Sequence, residues 1–185
     1  ETIDTNVNGT VNIIKMLSKQ KPQKFINIST DKAADASTLY GNTKQLGERI
    51  TSWAGVHIKG TKTGTVRFGN VRESRGNVFE IWNEENRKKE PLSITDPTMK
   101  RYFIKVNDVV NFILNVLLIL NEGEIFIPKM EKFSVKKLAD EISKNQKIVG
   151  LRQGEKLEEI LLNHEEKERA IEKKEMWIIE PNNNK

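Results

Sequence analysis

The chain has 185 residues, with 31 lysines and arginines against 26 aspartates and glutamates and a formal charge of +5. It contains no cysteine, which excludes disulfides, thiolate catalysis and cysteine-ligated zinc and agrees with a cytoplasmic location. Its two histidines, His57 and His164, are far apart in the sequence, so we expect no metal site. Basic and acidic residues are mixed along the chain, so we also expect no nucleic-acid partner.

The hydrophobic pattern predicts helices and strands that follow one another along the chain. Residues 2–20 carry apolar side chains at spacings of three and four, which predicts an amphipathic helix ended by Pro22. A short apolar run at 24–30 predicts a buried strand, and residues 38–54 predict the next helix after a polar loop. Four further helices are predicted, at 78–90, from 108, at 134–145 and at 154–174. Asn107 and Ser134 are the predicted N-caps of the second and third of these. Further strands are predicted at 63–71, 91–95 and 123–129.

This alternation of helices and apolar strands predicts an α/β architecture with a parallel sheet. The most apolar run, Val109–Leu120, is shorter than a membrane span and contains two asparagines. We therefore interpret it as a buried helix and expect no membrane partner.

Four side chains that can carry or move protons cluster in a short stretch. Asp31 and Lys32 directly follow the predicted strand, where ligands of open parallel sheets bind. Tyr40 and Lys44 are four residues apart, on one face of the next helix. A lysine ammonium beside a phenol favours the phenolate, so the tyrosine can remove a hydroxyl proton while an alcohol is oxidised beside a nicotinamide. The alternative is a solvated loop followed by a helix with an exposed Tyr–Lys pair.

The segment ISTDKA…YGNTKQLGE resembles the extended short-chain dehydrogenase/reductases, in which a strand ending in Ser-Thr precedes the catalytic Tyr-x-x-x-Lys. More narrowly, it resembles the inverting UDP-N-acetylglucosamine 4,6-dehydratases of the polysaccharide biosynthesis protein family, which carry Thr-Asp-Lys at this point. Other blocks resemble that family in the same order: TNVNGTVNII, VRFGNVRESRGNVFEIW, LSITDPTMKRYFIKVNDVVNFIL, GEIFIPKM and KIVGLRQGEKLEEILL. Tyr40 favours the soluble inverting branch, because the membrane-associated retaining branch usually has Met there. The chain departs from the usual family residues at Phe68, Arg72-Glu73 and Gln153.

The resemblance implies the roles of the catalytic residues. Tyr40 takes the proton from the sugar O4, and Lys44 holds the nicotinamide ribose. Lys32 then removes the C5 hydrogen, Asp31 protonates the departing C6 hydroxyl, and Thr30 hydrogen-bonds O4 or the bound intermediate. A 4-epimerase needs only the Tyr, Lys and Ser/Thr set, and it remains an alternative function; dTDP-glucose dehydratases carry Asp-Glu in place of Asp-Lys.

The resemblance also implies the binding residues and the partners. The expected cofactor is NADP, with NAD possible, and the expected substrate is UDP-N-acetylglucosamine or a related UDP-sugar. A homo-oligomer, hexamer or dimer, is expected on the same ground. Cofactor binding is implied for Tyr40, Lys44, Ser29 and Val71, and substrate binding for Asn70, Arg75, Arg101 and Arg152.

The domain organisation follows from the same resemblance. Residues 1–72 correspond to the C-terminal half of an NADP-binding, Rossmann-like domain with a doubly wound parallel sheet. Residues 73–185 correspond mainly to a smaller α/β subdomain that binds the UDP-sugar, with 102–128 returning to the Rossmann-like core. The Gly-rich cofactor loop does not occur in this sequence, so we expect the N-terminal half to be missing and the chain alone to have negligible activity. A non-catalytic remnant that binds UDP-sugar or assembles with other subunits is the remaining alternative.

Overall fold

The structure of the protein is a computed structural model that describes residues 1–181. Within this range the α-helices are α1 (Gly9–Gln20), α2 (Leu39–His57), α3 (Val78–Arg87), α4 (Val106–Ile119), α5 (Val135–Asp140) and α6 (His164–Arg169). The strands are β1 (Lys24–Thr30), β2 (Lys62–Phe68), β3 (Asn70–Val71), β4 (Leu92–Ile94), β5 (Lys100–Ile104), β6 (Ile125–Pro128), β7 (Lys132–Ser134), β8 (Gln146–Ile148), β9 (Ile171–Glu172) and β10 (Met176–Ile179). A π-helical turn precedes α1 and a 3-10 turn, Asp31–Ala33, follows β1.

The chain divides into two compact units. Unit 1 comprises Glu1–Phe68, Val110–Lys129 and Ile160–Lys185, and unit 2 comprises Gly69–Val109 and Met130–Glu159. This division differs from the predicted one, which placed the C-terminal residues with the smaller subdomain. The reason is β10, which pairs with β6 and so returns the end of the chain to the sheet of unit 1.

The sheet of unit 1 has the strand order β1-β2-β6-β10-β9. Strands β1, β2 and β6 are parallel, while β10 runs antiparallel to both β6 and β9. The register pairs Thr30 with Phe68, so the carboxyl ends of β1 and β2 lie side by side. Side chains that follow β1 are therefore delivered to the edge of the sheet where parallel α/β folds bind ligands. The predicted α/β class with a parallel sheet is confirmed.

Helix α2 packs closely against its neighbours in unit 1 through small and polar residues. A Cβ on Gly55 would lie 2.4 Å from the backbone nitrogen of Gly123, in the turn before β6. Next to this contact, the Ser52 hydroxyl donates to the Gly123 carbonyl at 2.6 Å. Thr63 of β2 donates to the Thr51 carbonyl of α2 at 2.7 Å. The C-terminal part of the helix that carries the predicted catalytic pair is thus fixed.

Unit 2 has its own core around the fully buried Trp82 of α3. The indole nitrogen of Trp82 donates to the Ser93 carbonyl at 2.8 Å, which satisfies the polar atom of this apolar side chain. Its strands form a three-stranded sheet, β3-β5-β7, and a parallel pair, β4-β8. The other buried residues of this core are Leu92, Ile94, Met99, Val135, Leu138 and Ala139.

Three sequence predictions about helices are wrong. The run Val109–Leu120 was interpreted as a buried helix, but much of its apolar surface is exposed, with Leu114 at 55% and Leu118 at 79%. Helix α4 begins at Val106, and not after an Asn107 cap, because the Glu73 carboxylate accepts the backbone N–H of Val106 at 2.9 Å. The predicted helix at 154–174 is reduced to the six residues of α6, since Asn163 starts a new helix and Ala170 leaves it with extended angles. The N-cap of α5, Ser134, is confirmed. No helix among residues 1–181 is long and apolar enough to cross a bilayer.

The packing of α2 predicts opposite effects for two Gly→Ala substitutions within helices. Gly55→Ala should lower the free energy of unfolding by about 1–3 kcal/mol, because the new methyl group meets backbone atoms of Gly123 that cannot rotate away. Gly9→Ala is the matched control: its Cβ would meet only Asp4 O at 3.6 Å, so helix propensity should make it neutral or stabilising by up to about 1 kcal/mol. Urea denaturation of both variants measures the difference, and equal effects would contradict the close packing of α2.

Candidate active site

The predicted acid and base lie on the 3-10 turn at the end of β1. Asp31 is 1% exposed, and its Oδ1 accepts hydrogen bonds from Thr30 Oγ1 and Lys32 Nζ, both at 3.0 Å. Lys32 is partly exposed, with 35% of its side chain accessible. The pair therefore combines a buried carboxylate with an amine that a ligand can reach.

Two polar atoms at the end of β1 are buried without a hydrogen-bond partner among the described residues. They are Ser29 Oγ and the second carboxylate oxygen of Asp31, Oδ2. Buried polar atoms in folded proteins are normally paired, and an unpaired one calls for a ligand or water. These two atoms can therefore still form hydrogen bonds, and they lie where the sequence predicts that the cofactor and the substrate bind.

The beginning of α2 is held against the Asp31–Ala33 turn. Thr38 caps the helix by accepting the N–H of Gly41 at 3.1 Å. A Cβ on Gly41 would lie only 2.5 Å from the Lys32 carbonyl oxygen, so only glycine permits this approach. The close approach at Gly41 thus packs the start of α2, which carries Tyr40 and Lys44, directly against the turn that carries Asp31 and Lys32.

The Tyr–Lys pair has one open and one anchored member. Tyr40 is 46% exposed, so its side chain is open to a ligand. Lys44 Nζ donates to the carbonyl oxygen of Ile28 in β1 at 2.5 Å. Burial lowers the pKa of Lys44 below its ordinary value, and the negative charge of Glu48, one turn further along α2, partly offsets this.

A buried ionic network centred on Arg67 contacts α2 at Glu48, one helical turn after Lys44. The guanidinium of Arg67 in β2 makes bidentate contacts with Glu48 of α2 at 2.9 and 2.6 Å and with Glu166 of α6 at 2.8 Å for both bonds. It also donates to the Leu161 carbonyl at 3.0 Å. Although burial alone would lower the pKa of Arg67, the charges and hydrogen bonds of both glutamates raise it. Arg67 therefore stays charged and connects three elements of unit 1.

The remaining predicted site residues belong to unit 2. Asn70 and Val71 form β3, and the Asn70 amide donates to the Tyr102 carbonyl at 3.1 Å. Arg75 and Arg152 are exposed. Their predicted roles in binding cofactor or substrate stay predictions.

Arg101 differs from these residues because its guanidinium is already occupied. It donates to the carbonyls of Lys100, Leu157 and Lys156 at 2.6–3.0 Å and lies 3.7 Å from a Glu155 carboxylate oxygen. The residue is 9% exposed. A phosphate contact would require these bonds to break, so our proposal does not use Arg101 for substrate binding.

The sequence interpretation did not include Gly41, Glu48, Arg67, Asn163 or Glu166. Signals for several of them are present in the sequence. Arg67 is a charged residue in the apolar strand TGTVRF, and such a residue needs partners. Asn163 and Glu166 have the spacing of a capping box, and Glu48 follows Lys44 at the helical interval of four.

A parallel strand that ends in Ser-Thr and is followed first by Asp-Lys and then by a helix with Tyr40 and Lys44 defines the class of the extended short-chain dehydrogenase/reductases. Comparison with known proteins then gives the family. The chain belongs to the polysaccharide biosynthesis protein family, whose profile matches residues 1–181.

Two curated relatives are similar to nearly the whole chain. The inverting UDP-N-acetylglucosamine 4,6-dehydratase of Campylobacter jejuni is 36% identical over 188 residues, which cover 98% of this chain and 56% of that protein. The UDP-glucose 4-epimerase of Rickettsia rickettsii is 33% identical, with 97% of this chain and 55% of that protein covered. The chain thus spans little more than half the length of these relatives.

Solved structures show the same fold. Pen from Bacillus thuringiensis has a TM-score of 0.92 at 31% identity, covering 97% of this chain and 60% of that chain. DesIV, a dTDP-glucose 4,6-dehydratase from Streptomyces venezuelae with NAD and TYD bound, has a TM-score of 0.75 at 16% identity, covering 89% and 59%. The second likeness is one of fold alone. The predicted Rossmann-like α/β fold is confirmed by these neighbours.

The environment of Lys44 predicts a pH-dependent reactivity. Because its pKa is lowered in the folded chain, acetylation of Lys44 should reach half its maximal rate at a lower pH than in the same chain unfolded in urea. The unfolded chain holds this proton more tightly, so the contribution of Lys44 to stability should rise with pH between its lowered pKa and the ordinary value of 10.5.

Peptide mass spectrometry of chain acetylated at a series of pH values measures this midpoint. Glu48→Gln should lower it further, because the variant loses the charge that opposes the effect of burial. Equal midpoints for Lys44 in folded and unfolded chain would contradict the described environment.

Proposed function

We propose that this chain supplies the acid–base residues of a sugar-nucleotide 4,6-dehydratase that acts on UDP-N-acetylglucosamine with inversion at C5. The observation that carries the proposal is the Asp31–Lys32 pair, joined by a 3.0 Å hydrogen bond at the end of β1 and held against the helix of Tyr40 and Lys44. The similarity to the Campylobacter dehydratase supports the same reaction.

The Asp31–Lys32 pair suits an elimination across C5 and C6. Such a step needs a base for the C5 hydrogen and an acid for the departing C6 hydroxyl. Lys32 as a neutral amine takes the C5 proton, while Asp31 as a carboxylic acid protonates the hydroxyl, which leaves as water. The pair then stands as ammonium and carboxylate, the ion pair of the folded chain. Return of one proton from Nζ to Oδ1 along their hydrogen bond restores the reactive state.

The Tyr40–Lys44 pair suits the oxidation that must precede elimination, because a ketone at C4 acidifies the C5 hydrogen. Tyr40 is exposed enough to meet the sugar O4 and take its proton, and Thr30 hydrogen-bonds the same oxygen. Lys44 is anchored on β1, where its remaining N–H groups can hold a ribose hydroxyl.

The residues at the end of β1 fit a nicotinamide cofactor, since Ser29 Oγ is buried there without a partner. Ser29, Tyr40 and Lys44, all in unit 1, would hold it. A bound nicotinamide would supply the hydride acceptor for C4 and the hydride donor for C6. The family resemblance implies NADP, with NAD possible, whereas NAD is present in the solved neighbour DesIV.

A UDP-sugar 4-epimerase is the second candidate. The Rickettsia relative, at 33% identity, is named as a UDP-glucose 4-epimerase. An epimerase would use Tyr40, Lys44 and Thr30 and would leave the Asp31–Lys32 pair without a step to perform. That unused pair is the reason why we favour the dehydratase.

A chimera can test the reaction, by joining residues 1–185 to the part of the Campylobacter dehydratase that this chain does not cover. With UDP-N-acetylglucosamine in D₂O it should form a 4-keto-6-deoxy product carrying deuterium at C5, detected by NMR. Lys32→Ala should slow elimination by about 10²–10⁴-fold, because the base for C5 is lost. The control Lys59→Ala changes an exposed lysine and should leave the rate unchanged.

The outcomes separate the candidates. Formation of only a C4 epimer by the unmodified chimera would favour the epimerase. Undiminished formation of the 4-keto-6-deoxy product by Lys32→Ala would show that Lys32 is not the base.

A further inference from the structure

The turn that carries the acid and base has few hydrogen bonds of its own. Within it, the backbone N–H of Ala34 donates to the Asp31 carbonyl at 3.1 Å, and the N–H of Lys32 makes a long contact of 3.5 Å with Thr30 Oγ1. A single 3-10 turn has poor hydrogen-bond geometry and holds its shape weakly. The positions of Asp31 and Lys32 must therefore be fixed from outside.

Two amide side chains supply this support. Gln45 Nε2 of α2 donates to the Ala33 carbonyl, and Asn163 Nδ2 donates to the Ala34 carbonyl, both at 3.0 Å. Ala33 and Ala34 are 0% and 1% exposed, so water has little access to replace these donors. Asn163 lies 129 residues away in sequence, so its bond ties the turn to a distant part of unit 1.

Asn163 is itself held in place by the cap of α6. Its Oδ1 accepts the N–H of Glu166 at 2.8 Å, and its own N–H donates to Glu166 Oε2 at 3.0 Å. The Glu166 carboxylate is in turn bound by Arg67. With the amide oxygen used by the cap, the amide nitrogen can only point to Ala34.

We propose that Asn163 is a positioning residue for the Asp31–Lys32 pair, acting through the Ala34 carbonyl. The effect of Asn163 on catalysis rests on the proposed function, whereas its effect on the position of the turn does not. The Arg67–Glu166 contact fixes Asn163, Asn163 fixes the end of the turn, and the turn fixes the distance between the acid and the base.

Asn163→Asp separates positioning from helix capping. Aspartate caps helices as well as asparagine does, so α6 should stay intact. The amide donor, however, is replaced by a carboxylate oxygen that repels the Ala34 carbonyl. The matched control is Asn77→Asp, which makes the same change at the N-cap of α3 in unit 2, where the side-chain oxygen accepts the N–H of Glu80 at 3.0 Å.

Two measurements on the chain itself report on the turn. Hydrogen exchange of the Ala34 amide should become about tenfold faster in Asn163→Asp and stay unchanged in Asn77→Asp, because losing one buried hydrogen bond costs roughly this factor. Acetylation of Lys32 should accelerate severalfold as its bond to Asp31 loosens. Acetylation of Lys44, anchored on β1, should not change and serves as the internal reference.

A third measurement uses the chimera described above. Asn163→Asp should lower kcat for elimination about tenfold, with the KM for the nucleotide sugar and the rate of cofactor reduction unchanged, since Tyr40 and Lys44 keep their places. If the chimera proves to be an epimerase while the exchange and acetylation results hold, the positioning stands and the proposed dehydratase function is wrong.

The inference is overturned if Asn163→Asp leaves both Ala34 exchange and Lys32 acetylation at their original rates. It is also overturned if the variant unfolds the whole chain while Asn77→Asp does not, because the role of Asn163 would then be one of general stability. Gln45→Glu, which removes the other amide donor without touching α6, should also accelerate Ala34 exchange; an unchanged rate there would show that the turn does not depend on its outside donors.

Discussion

The guanidinium of Arg67 is the group on which the arrangement of unit 1 depends. It lies in β2 with 1% exposure, and removing a charge from water costs several kcal/mol unless partners compensate. All five of its N–H donors are used, four for the carboxylates of Glu48 and Glu166 and one for the Leu161 carbonyl. The sheet, α2 and α6 are thereby tied together at one buried point.

This network explains how residues distant in sequence can serve one site. Glu48 belongs to the helix that carries the predicted redox residues and lowers the cost of burying the Lys44 charge. Glu166 fixes Asn163, which reaches the turn of the predicted elimination residues. One buried cation therefore orients both parts of the proposed chemistry. Arginine suits this task because its planar fork binds two carboxylates with defined geometry.

Local signals made β1 and the beginning of α2 predictable. The run KFINIST predicted a buried strand at 24–30. These bounds coincide with β1, but the strand lies at the edge of the sheet and Ile28 is 41% exposed. The spacing of Tyr40 and Lys44 follows from helical periodicity alone. The class of the fold was predictable for the same reason, since helices and strands alternate clearly in the first half of the chain.

Non-local contacts decided what could not be predicted. The tail at 154–174 is rich in helix-forming residues, yet only α6 is helical there, and Ile171–Glu172 at its end pair with β10 instead of continuing a helix. The family resemblance implied substrate binding by Arg101, whereas its guanidinium donates to the carbonyls of Lys156 and Leu157, which belong to a distant segment. The partners of Arg67 are likewise distant in sequence. The sequence could therefore predict that this buried charge needs partners, but not which residues they are.

A double-mutant cycle with Glu48→Gln and Glu166→Gln tests most directly whether one cation holds both elements. Each single variant leaves Arg67 with one carboxylate, but the double variant leaves a buried, unpaired charge. The free energy of unfolding, measured in urea, should therefore fall in the double variant by about 1–3 kcal/mol more than the sum of the single losses. Losses that add within about 0.5 kcal/mol would contradict a shared network, because independent sites behave in that way.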